Sequence, residues 1–415
     1  MALQYFDRLE TRDPASRDRA LLKALREAVD TLGRRKAWRG RLKGIDAKAL
    51  KTRADLAAIP VLRKADLKDR QTAEPPFGGL AQPAGPGVAR LFASPGPVYE
   101  PEGAGDDWWG MARALHAAGF RRGDIVLNTF SYNLTPGGFI FDSGARALGC
   151  PVIPAGPSDK ATQVELMAQF RPAAYAGTPD FLKILLDAWQ EADRGAAPIR
   201  KALVSGAALP ASLREHLEGR GVAVRQAYAT ADLGAIAHET GLVDGTTLPG
   251  MVVTEGLILE IVRPGSDQPV PDGEVGEIVV TRLDPVYPLI RFGTGDLSAI
   301  LPEPSPCGRT NLRIRGWMGR ADQRTKVKGM FVDPAQVEAV VRRHPGIARA
   351  RLVVTRDNEQ DVMSLHIEAA DGSAGFTDAV AASLAEITRL KGRVVVARAG
   401  TLPNDGKVIA DDRPV

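Results

Sequence analysis

The chain has 415 residues, of which 44% are hydrophobic and 25% are charged, the composition of an ordinary globular protein with about two to three domains. Its 54 basic and 50 acidic residues leave a formal charge of only +4, and no basic block interleaved with aromatic residues occurs, which argues against nucleic-acid binding. The two cysteines, Cys150 and Cys307, are too few and too far apart for a disulfide framework or a zinc site. Because the sequence has neither an apolar signal core nor an apolar run long enough to span a bilayer, we expect a cytoplasmic protein without membrane association.

The first predicted element is an amphipathic helix over residues 14–32. Its apolar residues recur at helical spacing, which is typical of a helix packed on a core through one face: Leu21, Leu25, Ala28, Val29 and Leu32.

A short strand is predicted over residues 90–93, followed by the small-residue turn Ser94-Pro95-Gly96-Pro97. The backbone N–H groups of such a turn can hold a phosphate. Pro95 and Pro97 lack that donor, so a rigid structural turn is an equally good interpretation.

Residues 106–235 alternate short apolar strands with helices, which predicts a mostly parallel sheet covered on both faces. The predicted strands are 125–128, 151–154, 173–176, 202–205 and 222–225, and the predicted helices are 137–147, a helix capped by Ser158 that ends at Phe170, and a helix capped by the Thr178 hydroxyl.

Two loops are predicted at the carboxyl ends of these strands, where ligands gather in such sheets: Ser205 to Ala208 and Tyr228 to Asp232. An aromatic residue beside a carboxylate can stack on a base and hold a metal. A core Tyr228 and a helix-capping Asp232 explain the same pattern equally well.

The next segment turns to β structure and holds two carboxylates. Residues 256–262 and 277–282 flank a turn rich in Pro, Gly and Asp, which predicts a hairpin. Asp296 follows Thr-Gly, in what is predicted as a strand running into a turn, where a carboxylate is well placed to bind the vicinal hydroxyls of a ribose. Asp322 follows a second turn, after which the sequence pattern changes. These features predict a ligand site at a junction between two domains, although surface turns with solvated charges are the alternative.

The remaining residues, 322–415, predict a small α+β domain. Its helices are expected over 334–343 and 376–390, and its strands over 350–355, 362–368 and 393–397. Lys407 lies near the end of this domain on a glycine-containing loop; taken alone, a lysine there is usually a solvated charge.

Motifs spread over nearly the whole chain carry a family resemblance: YFDRLETR, FRRGDIVLN, TPGG, PVIPAG, PLIRFGTGDL, PCGRT, GRADQRTKVKG with VDPAQVE, and the terminal GK. The chain resembles the adenylate-forming superfamily of acyl- and aryl-CoA synthetases, nonribosomal adenylation domains and luciferases, and most closely its phenylacetate–CoA ligase branch. Ordered motifs at matching intervals are more specific than any one of them. The resemblance implies an α/β fold: a large N-terminal domain (1–321) of βα-repeat sheets plus a β subdomain, and a small mobile α+β C-terminal domain (322–415).

The resemblance also implies roles for individual residues. Asp296 would bind the ribose of ATP, Arg320 would contact the nucleotide, Tyr228 would stack on adenine, and Lys407 would be the catalytic lysine that bridges the carboxylate substrate and the α-phosphate. Asp322 would be the hinge, and Asp232 would take part in catalysis by holding Mg²⁺. The remaining implied nucleotide-binding positions are Ser94, Gly96, Thr230, Gly206, Ala207 and Ala208, and the last three would line the acyl pocket as well as the base. An acid pocket would be formed by Phe130, Tyr132 and Thr135.

Departures from the family pattern lie at the phosphate-binding positions. The family's phosphate loop is rich in Ser, Thr and Gly and carries a lysine, whereas this chain has only Ser94-Pro95-Gly96-Pro97 there. Ala231 stands where a hydroxyl is usual, and Asp232 where the family has Glu.

The implied function is that of an AMP-forming ligase, which activates an aromatic or related carboxylic acid with ATP and Mg²⁺ and transfers it to coenzyme A. An adenylating enzyme with an amine or carrier-protein acceptor, and a non-catalytic ligand-binding relative, are the alternatives. The expected partner is a small carboxylic acid, and a homodimer is the default assembly because symmetric dimers are common.

Overall fold

The computed structural model of the chain describes residues 5–81, 85–94, 98–321, 323, 325–327, 330–357 and 360–413. Its α-helices are α1 (Pro14–Leu32), α2 (Lys36–Arg39), α3 (Leu67–Ala73), α4 (Ala112–Ala117), α5 (Gly137–Ala147), α6 (Lys160–Phe170), α7 (Pro179–Glu191), α8 (Ala211–Gly219), α9 (Pro334–Arg343) and α10 (Ala374–Thr388). Among the described residues, no helix has both the length and the apolar character that crossing a lipid bilayer requires.

The strands of the first half of the chain are β1 (Leu62–Arg63), β2 (Val88–Ser94), β3 (Val98–Gly103), β4 (Val126–Asn128), β5 (Val152–Pro154), β6 (Ala174–Gly177), β7 (Lys201–Val204), β8 (Ala223–Thr230) and β9 (Gly234–His238). Those of the second half are β10 (Met251–Val253), β11 (Leu257–Val262), β12 (Gly276–Arg282), β13 (Leu289–Ser298), β14 (Ile300–Leu301), β15 (Arg313–Ile314), β16 (Thr325–Val327), β17 (Met330–Val332), β18 (Ile347–Asp357), β19 (Gln360–Ala369), β20 (Arg393–Ala397) and β21 (Ile409–Asp411).

Two compact units make up the chain. The first consists of residues Met1–Leu259, Val280–Phe292 and Leu301–Gly316, and the second of Glu260–Val279, Gly293–Ile300 and Trp317–Val415. Strands β11, β12 and β13 are neighbours in one sheet, in the order β1-β13-β12-β11, which agrees with the predicted pairing of residues 256–262 with 277–282.

The first unit is built on a large sheet that is parallel on one side and antiparallel on the other. Its order is β14-β15-β10-β9-β8-β7-β6-β4-β5; β5, β4, β6, β7 and β8 run parallel, and β9, β10 and β15 continue it antiparallel. The prediction of a mostly parallel sheet is therefore confirmed for the βα repeats.

Alternate residues of the parallel strands belong to two different hydrophobic cores. Val126 and Leu203 pack into one core with Trp109 and Phe141, whereas Leu127 packs into another with residues of α7. Because successive side chains of a strand point to opposite faces, the sheet is covered by apolar residues on both faces. The carboxyl-terminal edge of the sheet remains as the place where loops present polar groups.

The helices predicted at 14–32, 137–147 and 334–343 have the predicted bounds, but two predicted caps are wrong. Asp159, not Ser158, caps α6 by accepting a hydrogen bond from the Thr162 N–H, because the carboxylate is one residue closer to the first turn. Thr178 lies at the N-cap of α7, but its hydroxyl makes no capping hydrogen bond.

Two predicted loops are strand for most of their length. Strand β8 continues through Tyr228 to Thr230, where it pairs with β9, so the predicted loop is reduced to a turn at residues 231–233. Asp296 lies inside β13 rather than in a turn. The preceding Gly295 has a φ of +74°, a conformation that glycine adopts without a Cβ clash.

The second unit contains a four-stranded sheet in the order β20-β19-β18-β21. β18 and β19 are antiparallel, while β20 and β21 add parallel strands at the two edges. α9 and α10 bury Val337, Val340 and Leu384 with Leu352 and Leu365 of the sheet. The predicted α+β order is confirmed. Strand β21 was not predicted, because three residues carry little pattern.

Candidate functional site

In the first unit, an ion pair joins Lys64 to Asp232. Lys64 begins a one-turn 3-10 helix after β1, and Asp232 follows the end of β8. The Lys64 Nζ atom lies 2.7 Å from Asp232 Oδ2. The aspartate is fully buried, whereas 32% of the lysine side chain is exposed, so the ammonium lies between the carboxylate and solvent.

A second buried carboxyl group, Glu100 on β3, belongs to the same cluster. Its Oε2 atom accepts a hydrogen bond of 2.9 Å from the Ser94 hydroxyl. Burial and, second, the charge of Asp232 raise the pKa of Glu100 to about 8, against the opposing effects of Ser94 and Lys64. A proton on Glu100 at neutral pH therefore relieves the repulsion between the two carboxyl groups.

Two oxygen atoms of this cluster have no hydrogen-bond partner among the described residues, Asp232 Oδ1 and Glu100 Oε1. Mg²⁺ is commonly held by one or two carboxylates together with substrate phosphates, so the Asp232 carboxylate fits such a cation, whereas Glu100 carries a proton at neutral pH. No group of three or more His, Cys, Asp or Glu side chains suited to a metal ion occurs in the described part of the chain. The other ligands of a cation here would have to be phosphate oxygens and water.

The predicted acid-pocket residues lie on the loop that leads into α5. Phe130 stacks on Phe141 with ring centroids 4.4 Å apart. The Tyr132 hydroxyl accepts a hydrogen bond of 2.7 Å from the amide of Asn128, which also donates to the Gly138 carbonyl. This loop is joined to β2, because the Ala93 N–H donates to the Leu134 carbonyl over 2.7 Å. Thr135, on the same loop, is half-buried.

The predicted nucleotide-binding loop at residues 206–208 is exposed and adjoins the acid-pocket loop. Gly206 has a φ of +75°, and a Cβ atom added there would lie 3.5 Å from Cε1 of Phe130. The Gln226 amide donates to the Ala207 carbonyl over 3.3 Å. The structure thus places Gly206, which is expected to line both the base and the acyl pocket, close to Phe130 of the expected acid pocket.

Two residues of β8 with predicted nucleotide contacts lie at the end of the strand. Tyr228 is only 7% exposed, which makes it a core side chain at least in part. Thr230 accepts a hydrogen bond from the Leu233 N–H; this closes the turn that presents Asp232.

In the second unit, Asp296 is held by two donors. Its Oδ1 atom accepts hydrogen bonds from the Trp317 indole N–H and from Nη1 of Arg320, both at 3.0 Å. Asp296 is 7% exposed, while half of each partner's side chain is exposed. The predicted ribose and nucleotide residues, Asp296 and Arg320, are therefore in direct contact.

Lys407 is an exposed residue on a loop that is anchored within the second unit. The Asn404 side chain accepts from the Val275 N–H at 3.1 Å, and the Gln323 amide donates to the Gly406 carbonyl at 2.7 Å. Gly406 has no room for a Cβ atom, which would lie 2.4 Å from Val275. Among the described residues, the Lys407 ammonium makes no hydrogen bond or ion pair. Its backbone is thus fixed while its charge stays available.

A small cleft, open to solvent, lies beside this loop within the second unit. Charged residues of both signs line it: Arg263, Glu274, Glu338, Arg349 and Lys407.

Two sequence-predicted residues, Gly96 and Asp322, lie outside the described residues.

Sequence reasoning missed three residues of these clusters. Lys64 lies in a region where the sequence shows no motif for catalysis, Glu100 follows the predicted turn, and Trp317 precedes the Gly-Arg-Ala-Asp segment. The signal for Lys64 is its pairing with a residue 168 positions away, which no local pattern contains.

Comparisons with known proteins show what the whole chain is similar to. A family model described as "AMP-binding enzyme" matches residues 111–283. The phenylacetate-coenzyme A ligase of Thermus thermophilus is 32% identical over 79% of this chain and 75% of its own length, and that of Aromatoleum evansii is 30% identical over the same shares. A solved structure of 2-hydroxyisobutyryl-CoA ligase, in an open conformation with its acyl-AMP and CoA, is 24% identical and has a TM-score of 0.70 over 97% of this chain and 93% of that chain; this likeness concerns the fold.

Proposed function

The chain belongs to the phenylacetate–coenzyme A ligase branch of the adenylate-forming enzymes, and on that premise we propose that it activates an aromatic carboxylic acid, such as phenylacetate, with ATP and transfers the acyl group to coenzyme A. The identity of 32% over 79% of the chain is the observation that carries this proposal. The charged clusters at Asp232 and Asp296 supply suitable groups for a nucleotide.

The reaction has two steps. An oxygen of the acid carboxylate attacks the α-phosphorus of ATP, which forms an acyl-adenylate and releases pyrophosphate. The thiol sulfur of coenzyme A then attacks the acyl carbonyl, which forms the thioester and releases AMP, while the thiol proton passes to solvent. The first step is needed because a free carboxylate would have to expel oxide.

Residues of the second unit act on the nucleotide. Asp296 accepts hydrogen bonds from the ribose hydroxyls, and Trp317 and Arg320 hold its carboxylate in a fixed orientation. The Lys407 ammonium stabilises the charge that builds on the α-phosphate in the first step. Asp322 acts as the hinge that removes Lys407 before the second step.

Residues of the first unit act on the acid and the leaving pyrophosphate. Phe130 and Tyr132 line the acid pocket, next to the backbone of Gly206. Asp232 fits Mg²⁺ through its unpartnered oxygen atom, and the ion would supply positive charge to the phosphates when bound. Tyr228 packs against the adenine from its position at the end of β8.

The proposal is tested by incubating the protein with ATP, Mg²⁺ and a panel of aryl and alkyl acids, with and without coenzyme A, and measuring the products by mass spectrometry. An acyl-CoA and AMP are expected with aromatic acids. If the acyl-adenylate forms but is not transferred to coenzyme A, the acceptor is an amine or a carrier-protein thiol. If no acid gives AMP, the enzyme proposal is wrong.

A further inference from the structure

A single side chain, that of Gln323, binds the backbone on both sides of Lys407. The Gln323 amide donates to the Gly406 carbonyl at 2.7 Å. Its Oε1 atom accepts from the N–H groups of Val408 and, at 2.9 Å, of Ile409. The Gly406 carbonyl and the Val408 N–H belong to the two peptide groups that flank Lys407, so one carboxamide fixes both of them.

The N–H of Lys407 has an acceptor of its own, the Asp405 carboxylate. It donates to Asp405 Oδ1 over 3.0 Å, and the same oxygen accepts from Nη1 of Arg351 on β18 over 2.7 Å. Two residues further on, Ile409 begins β21 and pairs with Leu352 of β18. These contacts set the direction in which the lysine side chain leaves the backbone, and none of them uses its ammonium.

Gln323 is also connected to the segment that carries Asp296. The Gln323 N–H donates to the Ala321 carbonyl over 2.9 Å, and the Ala321 N–H donates to the Gly295 carbonyl over 2.8 Å. Gly295 immediately precedes Asp296, which itself forms a β-bridge with Arg320. Two backbone hydrogen bonds thus lead from Gln323 to the residue beside the carboxylate proposed to bind ribose.

The glycine before Lys407 packs against the same strand. A Cβ atom added to Gly406 would lie 3.1 Å from Cδ1 of Leu297, the residue after Asp296. The Lys407 loop therefore rests on β13, which holds Asp296, and is fastened by Gln323. Because a loop that is ordered in advance loses less conformational entropy in the transition state, such packing favours catalysis.

We propose that Gln323 is a positioning residue for adenylation, which sets the place of the Lys407 ammonium relative to a nucleotide bound by Asp296. This inference rests on the proposed function, because it presupposes the role of Lys407 in the first step. Gln323 acts through Lys407 and touches neither ATP nor the acid. The rate of acyl-adenylate formation therefore depends on its carboxamide, whereas thioester formation, which does not require Lys407, is independent of it.

The test is a double-mutant cycle in the full chain, made of Gln323→Met, Lys407→Ala and the combined variant. Methionine has the length of glutamine but lacks the amide, and Gln323 is only half-buried, which limits the risk of unfolding. Single-turnover experiments measure acyl-adenylate formation and, separately, conversion of a supplied acyl-adenylate to the CoA thioester. Gln268→Met is the matched control, because Gln268 is an exposed residue of the same unit whose side chain makes no hydrogen bond with the described residues.

Hydrogen exchange, followed by mass spectrometry, gives a reading that does not depend on activity. Gln323→Met removes the acceptor of the Val408 and Ile409 N–H groups, so a peptide covering residues 404–412 should exchange faster. Gln323→Glu keeps that acceptor and loses only the donor to Gly406, so most of the protection should remain. Thermal unfolding verifies that each variant is folded.

We expect Gln323→Met to slow acyl-adenylate formation about tenfold or more, because a displacement of about 1 Å in a catalytic group can cost about a hundredfold. The KM for ATP and the rate of thioester formation should change less than about twofold, since neither depends on where Lys407 lies. In the Lys407→Ala background the same substitution should have no further effect, because residues that act as one unit are not additive. Gln268→Met should behave as the wild-type protein.

Two results would overturn the role of Gln323 while leaving the proposed function intact. One is an equal loss of the adenylation rate with and without Lys407. The other is a wild-type adenylation rate in a Gln323→Met protein whose 404–412 peptide exchanges faster. If Gln323→Met does not fold, Gln323→Glu decides by the same cycle, because its loss must also vanish in the Lys407→Ala background. A wild-type protein that forms no acyl-adenylate contradicts the proposed function, and this inference falls with it.

Discussion

The indole of Trp317 donates its N–H to the carboxylate of Asp296 over 3.0 Å. The same oxygen atom also accepts from Arg320, so the carboxylate proposed to bind ribose is held by two donors that are themselves half exposed. A carboxylate fixed in this way needs little reorganisation when a diol binds. We therefore propose that Trp317 is a positioning residue, which acts on the nucleotide through Asp296.

Replacing Trp317 by Phe removes the N–H donor and keeps an aromatic ring. We expect KM for ATP to rise about three- to tenfold while kcat changes less than about twofold, because a single hydrogen bond to an exposed charged pair is weakened by solvent. Steady-state kinetics with ATP and with its 2′-deoxy and 3′-deoxy analogues provide the measurement. The variant should discriminate less between ATP and the deoxy analogues, which a purely structural effect would not change.

The control for this variant is Arg315→Gln, at an exposed residue whose side chain makes no hydrogen bond with the described residues. It should leave KM for ATP unchanged. A Trp317→Phe enzyme with wild-type KM and wild-type discrimination against deoxy analogues would show that the indole does not position Asp296.

Replacing Lys407 by Ala removes the ammonium proposed to stabilise the α-phosphate. We expect the rate of acyl-adenylate formation to fall about 10²- to 10³-fold, as for other single donors to a developing charge. Thioester formation from a supplied acyl-adenylate should change much less, because that step does not require the lysine. Single-turnover measurements of the two half-reactions separate these effects. Lys391→Ala, at another exposed lysine of the second unit, is the matched control, and an equal loss in both half-reactions would refute the assignment.

Gly206 tests the proposed acid pocket. Its φ is +75°, and a methyl group there would lie 3.5 Å from Phe130, so Gly206→Ala should narrow the pocket edge. We expect the KM for the acid to rise about threefold or more, and by a larger factor than the KM for ATP, for an added backbone cost of about 1 kcal/mol. Gly195→Ala is the control: Gly195 also has a positive φ, +70°, but a Cβ atom there meets nothing within 4 Å. Equal effects of both substitutions on the acid KM would place the pocket elsewhere.

The burial of His238 leads to a prediction about how the free energy of unfolding changes at acidic pH. It is 2% exposed, neither ring nitrogen has a hydrogen-bond partner among the described residues, and burial, followed by the charges of Arg309 and Arg113, lowers its pKa to about 3. The unfolded chain, with its pKa near 6.5, binds a proton that the folded chain does not. Stability attributable to this histidine is therefore present above about pH 6.5 and is lost as the pH falls from there towards 3.

The measurement is the free energy of unfolding by urea between pH 7 and pH 4. In the wild-type protein the free energy of unfolding should fall as the pH is lowered. We expect His238→Leu to reduce the slope of this dependence by up to about 1.4 kcal/mol per pH unit. Some slope remains, because burial also lowers the pKa of His116, to about 4. His216→Leu, at an exposed position, serves as the control. A slope that is the same in wild type and His238→Leu would mean that His238 is not buried in its neutral form.

Local sequence patterns predicted the helices more accurately than they predicted the candidate functional site. The bounds of α1 and α9 are as predicted. Local signals were enough for both helices: the helical spacing of the apolar residues over 14–32, and the proline at the start of α9. The carboxylate of Asp296 was identified, but its setting inside a strand was not. The neighbouring Gly295, whose φ is +74°, also lies within β13.

Contacts between distant segments account for what the sequence did not predict. Lys64 meets Asp232 over 168 positions, and Gln71 meets Tyr99 over 28. No periodicity or short motif records such pairs, because they depend on how β1, α3 and the β2–β3 hairpin pack together.

The central claim, that the chain adenylates a carboxylic acid, is tested most directly by acid-dependent exchange of labelled pyrophosphate into ATP in the absence of coenzyme A. This exchange reports the first step alone and does not depend on the acyl acceptor. The account predicts exchange that requires an aromatic acid such as phenylacetate together with Mg²⁺ and that falls about 10²- to 10³-fold in Lys407→Ala. Folded wild-type protein that shows no exchange with any acid of the panel would contradict it.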